Sequence, residues 1–191
     1  TGLFTAPSSI PAPQAVTVKA TSQADPTKTD TATATIVSLV STFAGSTFGY
    51  ANGTGTAAQF AAPAGNAIAA SGDLYVADTA NNRIRKITSA GVVTSFCGNG
   101  TWGYNSASTA CASAKFASPT GDAVATNGDV YVADSANNAI RRISGGNVTV
   151  LAGNGTRGYV EGTGTAARFA QPMHLALDAA GQNLYVTDYG N

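Results

Sequence analysis

The sequence has few of the side chains that carry most enzyme chemistry. Its 191 residues include one His, one Met and two Cys, and only 10% of them are charged. A zinc site in a protein needs at least three good ligands. Because His174 and the two cysteines, Cys97 and Cys111, lie in different segments, no zinc site can be assembled from these residues.

The sequence also lacks an excess of charge of either sign and any long apolar run. Ten basic residues balance ten acidic residues. A general nucleic-acid binder needs a basic face that replaces counterions on phosphates, so we expect no nucleic-acid partner. No window approaches the roughly 18 apolar residues of a membrane span, so we expect no membrane insertion. The abundance of Gly, Ala, Ser and Thr is instead typical of secreted bacterial modules, and predicts a secreted, periplasmic or cell-surface location.

Three sequence landmarks recur with one period of about 53 to 56 residues. Gly-rich segments begin at Gly45, Gly98 and Gly153, and are followed first by FAAP, FASP and FAQP and then by YVAD, YVAD and YVTD. Such a repeat is a structural unit that buries its faces against neighbouring copies. We expect both ends to be cut from a longer chain, since the sequence begins at Thr1 and stops at Asn191 directly after a landmark.

Each period contains short apolar runs separated by turn residues. In the first period the runs NAIAA, LYVAD, RIRKI and VVTSFC alternate with segments rich in Gly, Asn, Asp and Ser. Runs of this length, rich in Val, Ile and Tyr, predict antiparallel strands joined by hairpins. Four strands in about fifty residues are typical of a propeller blade, so the sequence predicts an all-β chain.

The residues of the period resemble a known repeat. The pattern D-x-x-N-N-R-I-R-K-I after L-Y-V-A, with a V-x-T-x-x-G strand and G-T-G-T-A-A-x-F-x-x-P, is similar to the NHL repeat over Val40 to Asn191. The resemblance implies a six-bladed propeller with four-stranded blades, of which about two and a half are present. The repeats would span residues 40–97, 98–152 and, incompletely, 153–191. The remaining blades are then expected in the same polypeptide.

The segment before the repeats divides into two parts. Val37 to Ala44 matches the last strand of a repeat, and we expect it to complete a blade of the closed ring, so that residues 37–191 form the propeller domain. Residues 1–36 alternate over AVTVKA and TATATI and begin with TGLFTAP. They resemble the C-terminal end of a bacterial immunoglobulin-like domain, and a sandwich of this type needs about seven strands.

Recurring polar and glycine residues have a structural explanation. An Asp ends the strand and an Asn-rich hairpin follows it, a place where short polar side chains bond nearby backbone groups. We therefore interpret these residues as turn formers rather than metal ligands or catalytic acids: Asp78, Asn82, Asp134, Asn138 and Asp188. GNGTWG and GNGTRG fit the G-x-G-x-x-G pattern, but no helix is predicted to follow them, so loop glycines with positive φ are favoured over nucleotide binding.

One candidate site lies on the innermost strands. The aligned positions Gly65, Gly121 and His174 are followed by Asn66, Asp122 and Leu175, so that Asn66, Asp122 and His174 could face the mouth of the central channel. The alternative for His174 is an ordinary surface or core residue. Related propellers include a zinc lyase and calcium-dependent lactonases. We expect no cofactor here, with calcium or zinc only if other blades supply the ligands.

A second candidate site lies on the loop face at the TANN end of the blades. Its Gly-rich loops keep their glycines and vary at one position, which is Phe48, Trp102 or Arg157. Trp and Arg are common anchors of recognition surfaces. The alternatives are unconstrained loop tips, or a Trp102 that packs on a neighbouring blade.

The basic residues of the third strand do not indicate an RNA-binding site. These residues alternate with isoleucines, which predicts a solvated outer edge; they are Arg83, Arg85, Lys86, Arg141 and Arg142. No aromatic stacking partners stand beside them in the sequence, as RNA recognition would require.

The two cysteines occur only in the second repeat and flank a single loop. In an oxidising compartment a Cys97–Cys111 disulfide is favoured, and would add about 3 kcal/mol by the chain-entropy model. The alternative is two buried small apolar residues.

These observations favour a noncatalytic binding or scaffold module, whose protein, peptide or glycan ligand lies on the loop face. One alternative is a metal-dependent lyase or hydrolase with most of its site in other blades. Another is an architectural spacer in a long surface protein.

Overall fold

The structure is a computed structural model in which residues 14–21, 29–36 and 41–191 are described. The chain divides into two compact units, Thr1–Ser41 and Thr42–Asn191. In the first unit, β1 (Gln14–Thr21) pairs antiparallel with β2 (Thr29–Ile36), with Gln14 opposite Ile36. The rest of the expected immunoglobulin-like segment lies outside the described residues, and that assignment stays a prediction.

The second unit consists of antiparallel propeller blades, which confirms the all-β fold. In each complete blade the four longer strands follow one another in chain order from the innermost strand to the outermost. The first blade contains β3 (Gly53–Thr54), β4 (Pro63–Ile68), β5 (Leu74–Asp78), β6 (Arg83–Ile87) and β7 (Val92–Cys97). The second contains β8 (Thr109–Ala110), β9 (Pro119–Val124), β10 (Val130–Asp134), β11 (Ala139–Ser144) and β12 (Asn147–Ala152). The third contains β13 (Pro172–Leu177) and β14 (Leu184–Asp188).

Each complete blade has one strand more than the four that the sequence predicts. The two-residue strand β3 pairs with the beginning of β7, and β8 pairs in the same way with β12. The chain therefore crosses the outer edge of a blade before it enters the innermost strand. The sequence does not predict so short a strand, because two residues carry no periodicity.

The segment expected to complete another blade is only partly described. Residues 37–40 lie outside the described residues, and Ser41 to Ala44 form no strand. Ala44 nevertheless packs, together with Phe60 and Leu74, against a small apolar cluster around Val76 and Val93 of the first blade. Among the described residues, no helix is long and apolar enough to cross a membrane.

The core lies between the first two blades. Tyr75, Ile84 and Cys97 of the first blade share one apolar cluster with Phe116 and Val132 of the second blade. Alternation along the strands explains this arrangement, because each blade sends every second side chain toward each neighbour. Apolar packing between the blades therefore contributes to holding the first two blades together.

The innermost strands of neighbouring blades approach closely at two glycines. A Cβ atom on Gly65 would lie 2.4 Å from the carbonyl oxygen of Thr120, and one on Gly121 would lie 2.3 Å from that of Met173. No side chain fits at such distances, so these positions need glycine for packing rather than for a turn. The aligned residue of the third blade is His174, whose side chain is exposed.

A buried aspartate at the end of the second strand connects three segments of each complete blade. Asp78 accepts hydrogen bonds from the backbone N–H of Ala61 at 2.8 Å, from the Asn81 amide at 2.9 Å and from Arg85 at 2.8 Å. The side chains of Asp78 and Arg85 are both fully buried. Asp78 therefore does more than shape its turn, because it joins the preceding loop, the hairpin and the third strand.

The second blade repeats this arrangement, and the third repeats the bonds from the backbone and from Asn. Asp134 accepts from Ala117 at 2.7 Å, and from Asn137 and Arg141 at 2.9 Å each. Asp188 accepts from Ala170 at 2.8 Å and also from Asn191. We refer to this set of contacts as the aspartate hub.

The arginine of each complete hub lies between two aromatic rings. The Arg85 guanidinium carbon lies 4.8 Å from the Tyr50 ring centre and 5.1 Å from that of Phe60. Arg141 lies 5.2 Å from Tyr104 and 5.8 Å from Phe116. Cation–π contacts at these distances are favourable, more so when desolvated.

The prediction of a solvated edge for the third-strand basic residues is therefore wrong for Arg85 and Arg141. Their side chains point into the blade because the Asp carboxylate, the aromatic rings and backbone carbonyls together satisfy a buried guanidinium. Lys86 and Arg142 do pair with carboxylates near the surface, those of Asp73 and Asp129.

The other turn residues connect neighbouring blades. Asn82 and Asn138 adopt left-handed backbone conformations, with φ of 51° and 49°. The Asn82 side chain accepts from the N–H of Ser118 at 3.0 Å, and the Asn138 side chain accepts from that of Gln171 at 3.0 Å. Both acceptors therefore hold the first residues of the next blade.

Cys97 and Cys111 are joined by a disulfide in the structure, with their Cα atoms 4.6 Å apart. Cys97 ends the outer strand of the first blade, and Cys111 follows the edge strand β8 of the second. The bond thus connects two blades at their outer rim. At the end of the second repeat the position of Cys97 is taken by Ala152, so one blade interface has a covalent bond that the next does not have.

We expect Asp78→Asn to lower the free energy of unfolding by about 3–5 kcal/mol, because it leaves the Arg85 charge buried without its partner. The matched control is Asp73→Asn, which removes the partly exposed partner of Lys86 in the same blade and should shift stability little. Urea unfolding of both variants measures the difference, and equal effects would contradict the buried hub.

For the disulfide, we expect non-reducing peptide mapping to recover Cys97 and Cys111 in one linked fragment. The double variant Cys97→Ala and Cys111→Ser should lower the free energy of unfolding by about 3 kcal/mol, because the unfolded chain gains conformational entropy when the cross-link is removed. Ala is the residue of the other repeats at the position of Cys97. Two free thiols in the protein folded under oxidising conditions would contradict the bond.

Candidate functional site

The loop-face position that varies between repeats is exposed in all three. The side chain of Phe48 is 78% exposed and that of Trp102 is 59% exposed. Arg157 is exposed as well. Trp102 therefore does not pack into a neighbouring blade, and all three side chains are presented to solvent.

The backbone beneath Trp102 is held on both sides. The N–H of Thr101 donates to the Asn99 side chain at 2.8 Å, and the N–H of Gly103 donates to the carbonyl of Phe116 at 3.2 Å. The carbonyl of Gly103 in turn accepts from Asn137 of the aspartate hub at 2.7 Å. A side chain on such a loop loses little backbone freedom when it binds a ligand.

Arg157 and Phe48 stand on the same support. The N–H of Gly158 donates to Phe169 at 3.0 Å, and its carbonyl accepts from Asn191 at 3.1 Å. The corresponding bonds of Gly49 join it to Phe60 at 3.0 Å and to Asn81 at 2.8 Å. The three blades thus display different side chains on equivalent, fixed backbones. We call these positions the display positions: Phe48, Trp102 and Arg157.

The Gly-rich loops get their shape from backbone conformation rather than from a nucleotide. Gly98 has φ of 103°, and a Cβ atom there would lie 2.8 Å from the carbonyl oxygen of Asn82. Arg83 donates to the carbonyls of Gly98 and Asn99, so the loop carbonyls are turned toward a side chain of the same blade. A phosphate cradle would need N–H groups and a helix N-terminus at this place.

The inner-strand candidates are not brought together at one open surface. Asn66 and His174 are exposed, whereas Asp122 is only 6% exposed. Its carboxyl oxygen lies 3.0 Å from where a Cβ of Gly65 would be, between the innermost strands of two blades. Asp122 therefore faces the preceding blade instead of the mouth of the channel.

The carboxyl of Asp122 is buried without a hydrogen-bond partner on either oxygen. Burial raises its pKa to about 7, and the nearby backbone N–H of Ala67 only partly opposes this rise. An acid in this position is half neutral near physiological pH. In the described part of the chain, no three His, Cys, Asp or Glu side chains come together as metal ligands do.

The Asn81 side chain and the Phe60 carbonyl position the display loop of the first blade, a role that the sequence does not predict. Their recurrence was the available signal, because a Phe, a Tyr and an Asn return at the same place in each repeat. These residues hold the site, and the display positions are what the site offers to a ligand.

For Asp122 we expect the free energy of unfolding to fall as pH rises. Its pKa is higher in the folded chain than in the unfolded chain, so folding binds a proton between about pH 4 and pH 7. Between pH 5 and pH 8 the loss is roughly 2–3 kcal/mol. Asp122→Asn should remove this contribution to the pH dependence, whereas the control Asp178→Asn, at a partly exposed carboxylate, should keep it. Parallel pH profiles for the native chain and Asp122→Asn would contradict the buried acid.

Comparison with known proteins agrees with this architecture. Residues 116–143, which run from the end of the loop before β9 to β11, match the NHL repeat. No curated protein sequence matches the chain.

Solved structures share the propeller fold. A structural genomics protein of unknown function from Bacteroides thetaiotaomicron is 25% identical, with a TM-score of 0.56 over 62% of this chain and 30% of its own. An auxiliary nutrient binding protein from the same organism is 21% identical, with a TM-score of 0.52 over 64% of this chain and 34% of its own. One from Bacteroides ovatus is 16% identical, with a TM-score of 0.50 over 70% of this chain and 47% of its own. The chain thus spans less than half the length of each, and the likeness is one of fold.

Proposed function

We propose that the chain is part of a noncatalytic binding module of a secreted or surface-attached bacterial protein, and that its ligand binds at the display positions. The observation that carries this proposal is the fixed backbone beneath three exposed side chains that differ from blade to blade. A surface built for packing would repeat its residues, as the aspartate hub does. Here the support repeats and the displayed group changes.

The chemistry of the display positions favours a ligand with both apolar and anionic parts. Trp102 offers an exposed indole, which can stack on an apolar ring face and donate one hydrogen bond. Arg157 offers five N–H donors in a planar arrangement that matches a carboxylate. A peptide, a protein segment or a glycan can carry both groups. The nutrient binding described for two of the propellers above is consistent with this proposal but belongs to those proteins.

We expect Trp102→Ala and Arg157→Ala each to weaken ligand binding at least tenfold without lowering the melting temperature, because both side chains are exposed. Glycans and peptides are first screened on arrays with the native chain, and the best binder is then titrated by calorimetry. The control is Tyr185→Ala, which removes another exposed aromatic side chain near the opposite end of a blade.

Native affinity in both loop-face variants would remove the display positions from the binding site. If neither array yields a saturable ligand, the chain is better explained as an architectural spacer.

A further inference from the structure

A second side chain lies beside each display position, next to the glycine that follows the display residue. A Cβ atom on Gly103 would lie 3.0 Å from Cδ of Lys115, and one on Gly158 would lie 3.7 Å from Cδ of Arg168. In the first blade the corresponding contact joins Gly49 to a neutral amide side chain. We call these second side chains the flanking positions: Gln59, Lys115 and Arg168.

Positive charge is concentrated in the loops that carry the display and flanking positions. These loops are residues 45–60, 98–116 and 153–169. The first has no charged residue, the second has Lys115, and the third has Arg157, Arg168 and Glu161. Three cations and one carboxylate give the loops a net charge of +2, in a chain whose formal net charge is zero. In residues 41–191, no carboxylate lies within ion-pair distance of these three cations.

The second and third loops are in contact. A Cβ atom on Gly155 would lie 3.6 Å from Cε1 of Tyr104, so the Tyr104 ring lies against the third loop. Tyr104 follows Trp102 by two residues, and Gly155 precedes Arg157 by two residues. The two loops therefore form one continuous surface. We call its display and flanking side chains the cationic strip: Trp102, Lys115, Arg157 and Arg168.

The backbone of the second loop is already hydrogen-bonded within the protein. The carbonyls of Gly98 and Asn99 accept from Arg83, and Gly103 uses both its N–H and its carbonyl. A peptide that adds to a sheet needs free backbone groups along a strand edge. The bonded groups do not form such an edge, so a ligand meets mainly side chains here.

The apolar part of the cationic strip is a single flat ring. In residues 98–116 Trp102 is the one exposed large apolar side chain, whereas Phe116 is fully buried. An apolar anchor of a protein partner needs neighbours that exclude water around it. An isolated indole between Thr101 and Gly103 instead suits the C–H face of a pyranose ring, whose hydroxyls remain in contact with water and polar groups.

We propose that the cationic strip binds an acidic polysaccharide of the polyuronate class, with one sugar ring stacked on Trp102. Carboxylates of neighbouring sugars pair with Lys115, Arg157 and Arg168. Each arginine can hold one carboxylate through two parallel N–H bonds. The carboxylates of a polyuronate recur along one chain, as the cations recur along the two loops. This proposal rests on ligand binding at the display positions and names the class of that ligand.

The probe is tetragalacturonate, titrated against the chain by calorimetry. Its fully methyl-esterified form keeps the sugar rings and removes every charge, and tetraglutamate presents the same number of side-chain carboxylates on a peptide. Tetragalacturonate should bind saturably and about tenfold more tightly than either control, a difference of about 1.4 kcal/mol. Its affinity should fall as sodium chloride is added, because the cations are exposed or partly exposed.

The contact with the indole has its own readout. Trp102 is the single tryptophan of the chain, so the intrinsic tryptophan fluorescence reports on this position alone. Tetragalacturonate should change the emission and protect the indole from quenching by acrylamide, with the same midpoint as the calorimetric titration.

On the protein side, Lys115→Gln and Arg168→Gln introduce the residue that the first blade has at the flanking position. Each should weaken tetragalacturonate binding about threefold, as expected for the loss of one exposed ion pair, and leave the melting temperature unchanged. The matched control is Lys86→Gln, which removes one positive charge beside Asp73 and outside these loops. This control should keep the native affinity.

Three results would overturn the proposal. They are no saturable binding of tetragalacturonate up to about one millimolar, native affinity in both Gln variants of the flanking positions, and equal binding of a control ligand. Equal binding of tetraglutamate would identify an acidic peptide as the ligand. Failure of the proposed function looks different. If an array ligand loses affinity in Trp102→Ala while tetragalacturonate does not bind, the display positions stand and the ligand class named here is wrong.

Discussion

The buried pair of aspartate and arginine is the interaction on which the rest of the propeller depends. A carboxylate and a guanidinium removed from water lose their hydration, and their attraction compensates only when further hydrogen bonds satisfy both groups. Asp78 obtains these bonds from Ala61 and Asn81, and Arg85 obtains them from backbone carbonyls of the preceding loop. The net contribution of such a pair to stability is modest. Its effect is to impose one arrangement, because any other arrangement leaves a charge buried and unpaired.

That arrangement determines where the loops of the display face lie. The same Asn that bonds the hub carboxylate also bonds the carbonyl after the display position, as Asn137 does for Gly103. The buried ion pair and the exposed Trp102 are therefore connected through a single side chain.

The periodicity of the sequence predicted the fold correctly. The same periodicity led to a wrong prediction for Arg85 and Arg141, which are buried. Repeated runs of Val, Ile and Tyr predicted the strands, and the fixed spacing predicted the blades. Alternation with isoleucine suggested that Arg85 faces solvent, because a sequence pattern does not show that a carboxylate, two aromatic rings and several carbonyls converge on one point. The burial of Asp122 escaped prediction for a similar reason. It depends on Gly65 of the neighbouring blade, which allows the two innermost strands to approach closely.

Differences between equivalent positions separate architecture from function in this chain. Hub residues recur because the arginine of the third strand must be buried in each complete blade. Their recurrence therefore gives no indication of a ligand. The display positions and the inner-strand position of Asp122 differ between blades on nearly the same backbone. A difference that the fold does not require is free to serve recognition. The positions that differ between blades are therefore the ones to test for ligand recognition. The repeated residues hold them on a rigid backbone.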